Sequence, residues 1–197
     1  MNSATIPAGA DFSHKPVLNG EKVTLRPVGA QDAPLIAAII DDPEVRRYTG
    51  GAHLTFHHRG LEAVYAARAT AADRLDLAVV DNASGEFVGE VVLNEWDQHN
   101  RSCNFRAMIG PGGRDRGLGT EATRLIVGYG FETMCLHRIY LFVYAFNPRA
   151  RRVYEKVGFT TEGVDRDALL HDGTWVDAVR MSLLDHEWRP RGASARL

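Results

Sequence analysis

Arg114-Asp115-Arg116-Gly117-Leu118-Gly119-Thr120-Glu121-Ala122 is the stretch whose reading decides the fold. It joins an apolar strand pattern, Phe105 to Ile109, to an amphipathic helix pattern carried by Leu118, Ala122, Leu125, Ile126 and Tyr129. Glycines one residue apart at a strand-to-helix junction let backbone N–H groups approach a ligand closely. The helix that starts there adds unpaired donors and the positive end of its dipole, which together suit a phosphate. Arg114 and Arg116 place two guanidinium groups on the same loop. The segment reads as a polyphosphate cradle.

Three kinds of cradle fit that physics. A P-loop closes a longer glycine loop with a Lys-Ser/Thr pair, which is missing here. Gly117-Leu118-Gly119-Thr120-Glu121-Ala122 formally matches the dinucleotide fingerprint, which would make the chain a nucleotide-binding oxidoreductase. That fold wants a carboxylate about 20 residues on, at the end of the next strand. The next strand, Ile139 to Phe146, holds no acid and ends in Asn147. Because it is apolar at every position, both of its faces are expected to be covered. The third pattern, Arg/Gln-x-x-Gly-x-Gly/Ala, is filled by Arg114, Gly117 and Gly119.

A second segment separates these readings. Asn147-Pro148-Arg149-Ala150-Arg151-Arg152-Val153-Tyr154-Glu155-Lys156-Val157-Gly158-Phe159 is a self-consistent short helix. Asn147 is a good N-cap, Pro148 sits where its missing N–H costs nothing, and Gly158 can close the end left-handed. Ala150, Val153, Tyr154 and Val157 form its apolar stripe. The two segments, in this order, resemble the paired signatures of the GNAT family of N-acetyltransferases, the second being Asn-x-x-Ala-x-x-x-Tyr-x-x-x-Gly-Phe. The resemblance runs from Val23–Val28, similar to the family's first strand, to Val179–Leu183, similar to its last. From Arg101 to Trp188 the chain is most similar to the ribosomal-protein-alanine and spermidine acetyltransferase subgroup.

The resemblance implies a single α/β (α+β) domain over residues 19–188, between flexible tails at 1–18 and 189–197. Its central sheet would be mixed, mostly antiparallel and splayed around the cofactor, with helices on both faces. It also implies acetyl-CoA as donor. The pantetheine arm would pair with the backbone at Met108 and Ile109. The pyrophosphate would lie on the loop and helix start: Arg114, Arg116, Gly117, Leu118, Gly119 and Thr120. Asn147 would reach the pantetheine amides with its side chain, and Arg149 would join the cofactor contacts beside it. Tyr154 matches the family's acid and is expected to protonate the leaving thiolate, while a backbone N–H near Ile109 polarises the thioester carbonyl. The reaction implied is direct transfer to a primary amine, on a small molecule or at a protein N-terminus. The alternatives are a catalytically weak CoA-binding module or a transferase using another acyl-CoA.

The base is where the chain departs from its relatives. Strand alternation puts Cys103, Phe105, Ala107 and Ile109 on one face and Ser102, Asn104, Arg106 and Met108 on the other. The position of Asn104 is commonly Glu in the similar families, facing the cleft, and Asn cannot take a proton. Glu90, Glu95 and Asp97 are replacement candidates, a water chain is another, and the amine can also arrive neutral. The acceptor site in this fold lies between the first helices and the last hairpin. Asp41, Asp42, Glu44, Asp165, Asp167, Asp172 and Asp177 there suit a cation, whereas Arg106 suits an acceptor bearing a carboxylate.

Bulk properties bound the rest. At 197 residues, with 45% hydrophobic and 24% charged residues, the chain is one ordinary globular domain by length. A net charge of −2 argues against nucleic acid as the main partner. No apolar run reaches membrane-spanning length and no signal pattern opens the chain. Cys103 and Cys135 read as unpaired thiols of a reducing cytoplasm. The eight histidines show no metal-ligand spacing, His57 and His58 being adjacent and so pointing apart on a helix. A monomer or homodimer is expected, with an amine acceptor as its partner and no metal.

Overall fold

Side chains that alternate between a core and an opposite face set the strands, and the described residues, 11–49 and 60–188 of a computed structural model, place eight of them in one sheet. They are β1 (Leu18–Asn19), β2 (Val23–Pro27), β3 (Leu75–Asp81), β4 (Phe87–Asp97), β5 (Ser102–Ile109), β6 (Arg138–Tyr144), β7 (Thr160–His171) and β8 (Thr174–Leu184). Their spatial order is β1-β2-β3-β4-β5-β6-β8-β7, and only β5 and β6 run parallel. The helices are α1 (Ala33–Ile40), α2 (Pro43–Tyr48), α3 (Leu61–Thr70), α4 (Leu118–Glu132) and α5 (Pro148–Val157).

Two clusters of buried side chains assign the faces. Behind the sheet, Leu77, Val91, Leu93, Cys103, Phe105, Ile139 and Leu141 meet Leu118, Ala122 and Ile126 of α4 and Tyr154 and Val157 of α5. In front, Val28, Ile36, Tyr65 and Ala78 form a smaller cluster with Met108 and Phe87 against it. Helices therefore cover both faces, as the resemblance implied. The expected alternation along β5 holds: Cys103 and Phe105 are buried behind, and Met108 packs in front.

The feature that positions the site is where pairing stops. β5 and β6 pair only at Ser102–Arg138, Cys103–Ile139 and Asn104–Tyr140. Beyond Asn104 each strand continues, β5 to Ile109 and β6 to Tyr144, without its neighbour. The sheet splays open there, and β5 presents a backbone edge with no strand on it.

Two expectations are corrected. β6 is not covered on both faces: Ile139, Leu141 and Val143 are buried behind, but Phe142 is 51% exposed in front. An all-apolar strand need not be central, because here Tyr140, Phe142 and Tyr144 share a face on which the front cluster contributes no β6 neighbour. Residues 11–18, read as tail, pack onto the domain. Phe12 is fully buried edge-on against Trp96 at 5.2 Å, its N–H donates to Ala72 O at 2.9 Å, and Lys15 Nζ donates to Ala71 O at 2.7 Å. One aromatic in a polar stretch is a weak sequence signal, yet its burial is worth about 2 kcal/mol or more. The pair His57 and His58 and the tail residues 1–10 and 189–197 lie outside the described residues.

Candidate active site

The cradle is built at the start of α4. Gly117 caps the helix in the left-handed region at φ 80°, where a Cβ is strained, and it brings no side chain to occupy the amides behind it. The intrahelical ladder begins with Glu121 N donating to Gly117 O at 3.1 Å, so the N–H groups of Leu118, Gly119 and Thr120 precede it. Glu121 itself points away from this opening. Its carboxylate accepts from the backbone N–H groups of Glu21 (3.2 Å), Lys22 (2.6 Å) and Val23 (3.0 Å), which fixes the helix start against the β1–β2 turn.

The splay lies beside that cradle. On one wall is the free edge of β5 through Met108 and Ile109; on the other, β6 leads into α5. Asn147 caps α5, its Oδ1 accepting from Ala150 N at 3.1 Å, which leaves the amide nitrogen as a donor. Tyr154, one face of α5 further on, is 8% exposed and stands edge-on to Phe105 at 5.9 Å. Phe105 follows Asn104, the last β5 residue paired to β6. The unpaired strand edge, the α4 N-terminus and the Asn147 cap thus follow one another around the splay, with Tyr154 buried behind Phe105.

The arrangement suits a long ligand with an amide-bearing arm and a phosphate head. Residues 22–160 match the family model described as an acetyltransferase (GNAT) domain. The chain belongs to the GNAT acetyltransferase family. Spermidine N(1)-acetyltransferase from Escherichia coli (strain K12) is 28% identical over 178 residues, covering 86% of this chain and 90% of that one. Among solved structures, spermidine N-acetyltransferase from Vibrio cholerae, in complex with CoA and spermine, superposes with a TM-score of 0.77 at 25% identity over 85% of this chain and 98% of that one. A GCN5-related N-acetyltransferase from Brucella melitensis gives 0.76 at 25% identity, covering 95% and 85%. The protein is an acyltransferase that moves an acetyl group to an amine.

Within this acetyltransferase the expected cationic residues are already engaged by carboxylates. Arg114 donates to Asp42 Oδ1 (2.5 Å) and Glu44 Oε2 (2.8 Å) of the α2 segment. Arg149 donates to Glu44 Oε1 at 2.5 Å, so Glu44 bridges the two arginines on either side of the splay. Arg116 donates to Asp81 Oδ2 at 2.7 Å and, with the Ala83 amide, holds that carboxyl below its ordinary value. A further cation at the cradle is one the sequence did not single out: Lys22 Nζ, donating to the Arg116 carbonyl at 3.3 Å and lying against Gly117. It lines a cleft of about 420 Å³ with Arg116 and Leu118. Pairing of Val23 with Asp81 across β2 and β3 brings it there from almost a hundred residues away, which no local pattern signals.

The acid–base roles also change. A phenol with reference pKa near 10 is a weaker acid than a thiol near 8.5, so complete transfer to a free thiolate is uphill. Burial makes it more so, pushing Tyr154 up to about 12. What this side chain can supply is a hydrogen bond to charge developing on sulfur. Asn104, buried, donates from Nδ2 to Asn94 Oδ1 at 2.9 Å. Of the replacement acids, Glu90 is pushed up by burial and accepts from Tyr65 OH at 2.9 Å, under α3. Asp97 is tied to Asn100 by two hydrogen bonds that hold its carboxyl low. Glu95 accepts from Tyr140 OH at 3.0 Å, beside Asn104.

In front of the splay, α2 and the β7–β8 hairpin enclose a cleft of about 570 Å³ lined by Pro43, Arg47, Phe146, His171, Asp172 and Thr174. This is where the resemblance placed the acceptor site. Arg47 lies over the Phe146 ring at 5.2 Å, and His171 packs on the same ring at 5.2 Å. Of the seven acids that suggested a cation site, only Asp172 lines the cleft; Asp42 and Glu44 are spent on arginines.

Proposed function

We propose that the donor is acetyl-CoA, held by the α4 amides of Leu118 to Thr120, by the β5 edge at Met108 and Ile109, and by the Asn147 side-chain nitrogen. Arg114, Arg116 and Arg149 frame this site through their carboxylate partners, and Tyr154 attends the sulfur. The acceptor is a primary amine entering by the front cleft. The observation that carries this reading is the β5 edge left unpaired beyond Asn104, followed after the turn at Pro111–Gly113 by a helix start with no side-chain cap. Such an edge supplies donors and acceptors at strand spacing for an amide-bearing arm, and the helix start supplies N–H groups for its phosphates.

The relatives' names support a polyamine acceptor, but two features of this chain favour another amine. Arg47 stands in the cleft with no carboxylate on it among the described residues, and position 104, commonly Glu in the similar families, is Asn. An amine that also carries an anionic group, including a protein N-terminus with acidic neighbours, suits that charge better. The two unpaired thiols, Cys103 and Cys135, support a reducing cytoplasm as the place of action. Free-CoA release measured with a panel of amines, each product identified by mass spectrometry, tests the reading. Turnover of α-amines well above spermidine is expected; fast spermidine acetylation would reverse the acceptor assignment, and CoA binding without turnover on any amine would reduce the protein to a binding module.

A further inference from the structure

β4 changes parity at the closed end of the splay. Up to Asn94 it alternates regularly, with Leu93 in the rear core and Asn94 facing Asn104 in front. Continued alternation would send Glu95 backwards into the core and Trp96 forwards. The reverse is observed: Trp96 packs against the rear core and Glu95 reaches the front-facing Tyr140. The cause is a bulge between Asn94 and Asp97, where Glu95 takes a left-handed backbone at φ 53°. A non-glycine residue there is strained, and bulges of this kind re-aim side chains beside active sites.

The re-aimed carboxylate lands where one is missing. Asn104 sits on β5 between Asn94 on β4 and Tyr140 on β6. A bond from Glu95 to Tyr140 therefore spans β5 at the level of Asn104 and Ser102. That places an exposed carboxylate in front of the vertex of the splay, at the level of Asn104. We infer that Glu95 is the base that deprotonates the acceptor amine, and that Tyr140 is the positioning residue that holds it there. The inference rests on the transferase reading above.

The proton accounting closes. The acceptor ammonium gives one proton to Glu95, and its nitrogen then attacks the thioester carbonyl. As the carbon–nitrogen bond forms and the carbon–sulfur bond breaks, the nitrogen sheds a second proton and the departing thiolate takes one up. Glu95 returns its proton to solvent. The other charged and titratable groups around the pair are few. Arg138 lies 5.8 Å from the Tyr140 ring centroid and is bonded to Glu162, Asp97 is held by Asn100, and Cys103 lies behind on β5.

The test is the pH profile of kcat/KM for one good acceptor, in the wild type, Glu95→Gln and Tyr140→Phe, with Glu90→Gln and Asp97→Asn as controls. Glu95→Gln keeps the side-chain length and an oxygen for Tyr140, and CoA affinity reports that each variant is folded. In the wild type the ascending limb should lie well below the acceptor's own pKa. In Glu95→Gln it should move up to that pKa, about 8 for an α-amine or 10 for an alkyl amine. The rate at neutral pH should fall on the order of 10²-fold. Tyr140→Phe should lower kcat less and leave the limb in place. A wild-type limb that already follows the amine, or one that Glu95→Gln leaves unmoved, overturns the assignment of the base alone. Absence of turnover on every amine by the wild type overturns it together with the transferase reading.

Discussion

Asn104 donates its side-chain amide to Asn94 Oδ1 at 2.9 Å, and the two residues are direct partners on the β4–β5 ladder. The pair occupies the front face at the vertex of the splay with neutral groups that hold one another. Asn104→Ala should therefore cost about 1 kcal/mol of stability, one hydrogen bond, while leaving kcat within a few-fold. Urea denaturation and steady-state kinetics on the same preparation decide this. A collapse of kcat with stability intact would give Asn104 a direct part in the chemistry.

Tyr154→Phe keeps the ring against Phe105 and Phe159, so fold and CoA affinity should hardly change. Removing the hydroxyl should lower kcat on the order of 10²-fold, the lower end for a proton-handling group. Burial holds the native phenol near 12, above its ordinary 10. It therefore stays protonated through the working range, and no descending limb belonging to Tyr154 should be seen below about pH 11. By the same sign, its contribution to stability is complete below pH 10 and is lost as pH rises toward 12. An unchanged kcat in Tyr154→Phe would mean that the ring only packs.

Gly117 and Gly119 should separate strain from obstruction. Gly117 is left-handed, so Gly117→Ala should lose about 1 kcal/mol of stability whatever is bound. Gly119 is helical, and a Cβ there meets only Ile109 at an ordinary 3.5 Å. Gly119→Val should fold normally yet weaken CoA binding by roughly tenfold or more, because its side chain stands over the amides of the helix start. Arg116→Ala should do much less, its guanidinium being held by Asp81. Equal CoA affinity for folded Gly119→Val and wild type in calorimetric titration would remove the cradle from the cofactor site.

Glu44 neutralises Arg114 and Arg149 across the mouth of the splay. With Glu44→Gln the Arg149 guanidinium loses its carboxylate partner while Arg114 keeps Asp42, and CoA should bind a few-fold tighter, about 1 kcal/mol for a partly exposed pair. The gain should shrink with added salt. Weaker CoA binding at every salt concentration would show instead that Glu44 serves by holding α2 in place.

The sequence by itself determined the fold class and the order of elements, and it is the sequence that proposes the cradle at the start of α4. The elements rest on local chemistry (glycines at a helix start, an Asn-Pro cap, an apolar stripe and strand alternation), and the fold on the resemblance of the two paired segments to the GNAT signatures. Only the tertiary structure decided which charges are free and which way side chains point at the vertex. Lys22 reaches the cradle through strand pairing, Glu44 reaches Arg114 and Arg149 by packing of α2, and Phe12 reaches the core from a polar stretch. The aromatic face of β6 is open because coverage depends on what packs over a strand, not on the strand's own composition. Glu95 is the sharpest case. Period-2 alternation assigns it to the core, and a single left-handed residue in a bulge, invisible to composition, turns its carboxylate over Asn104 instead.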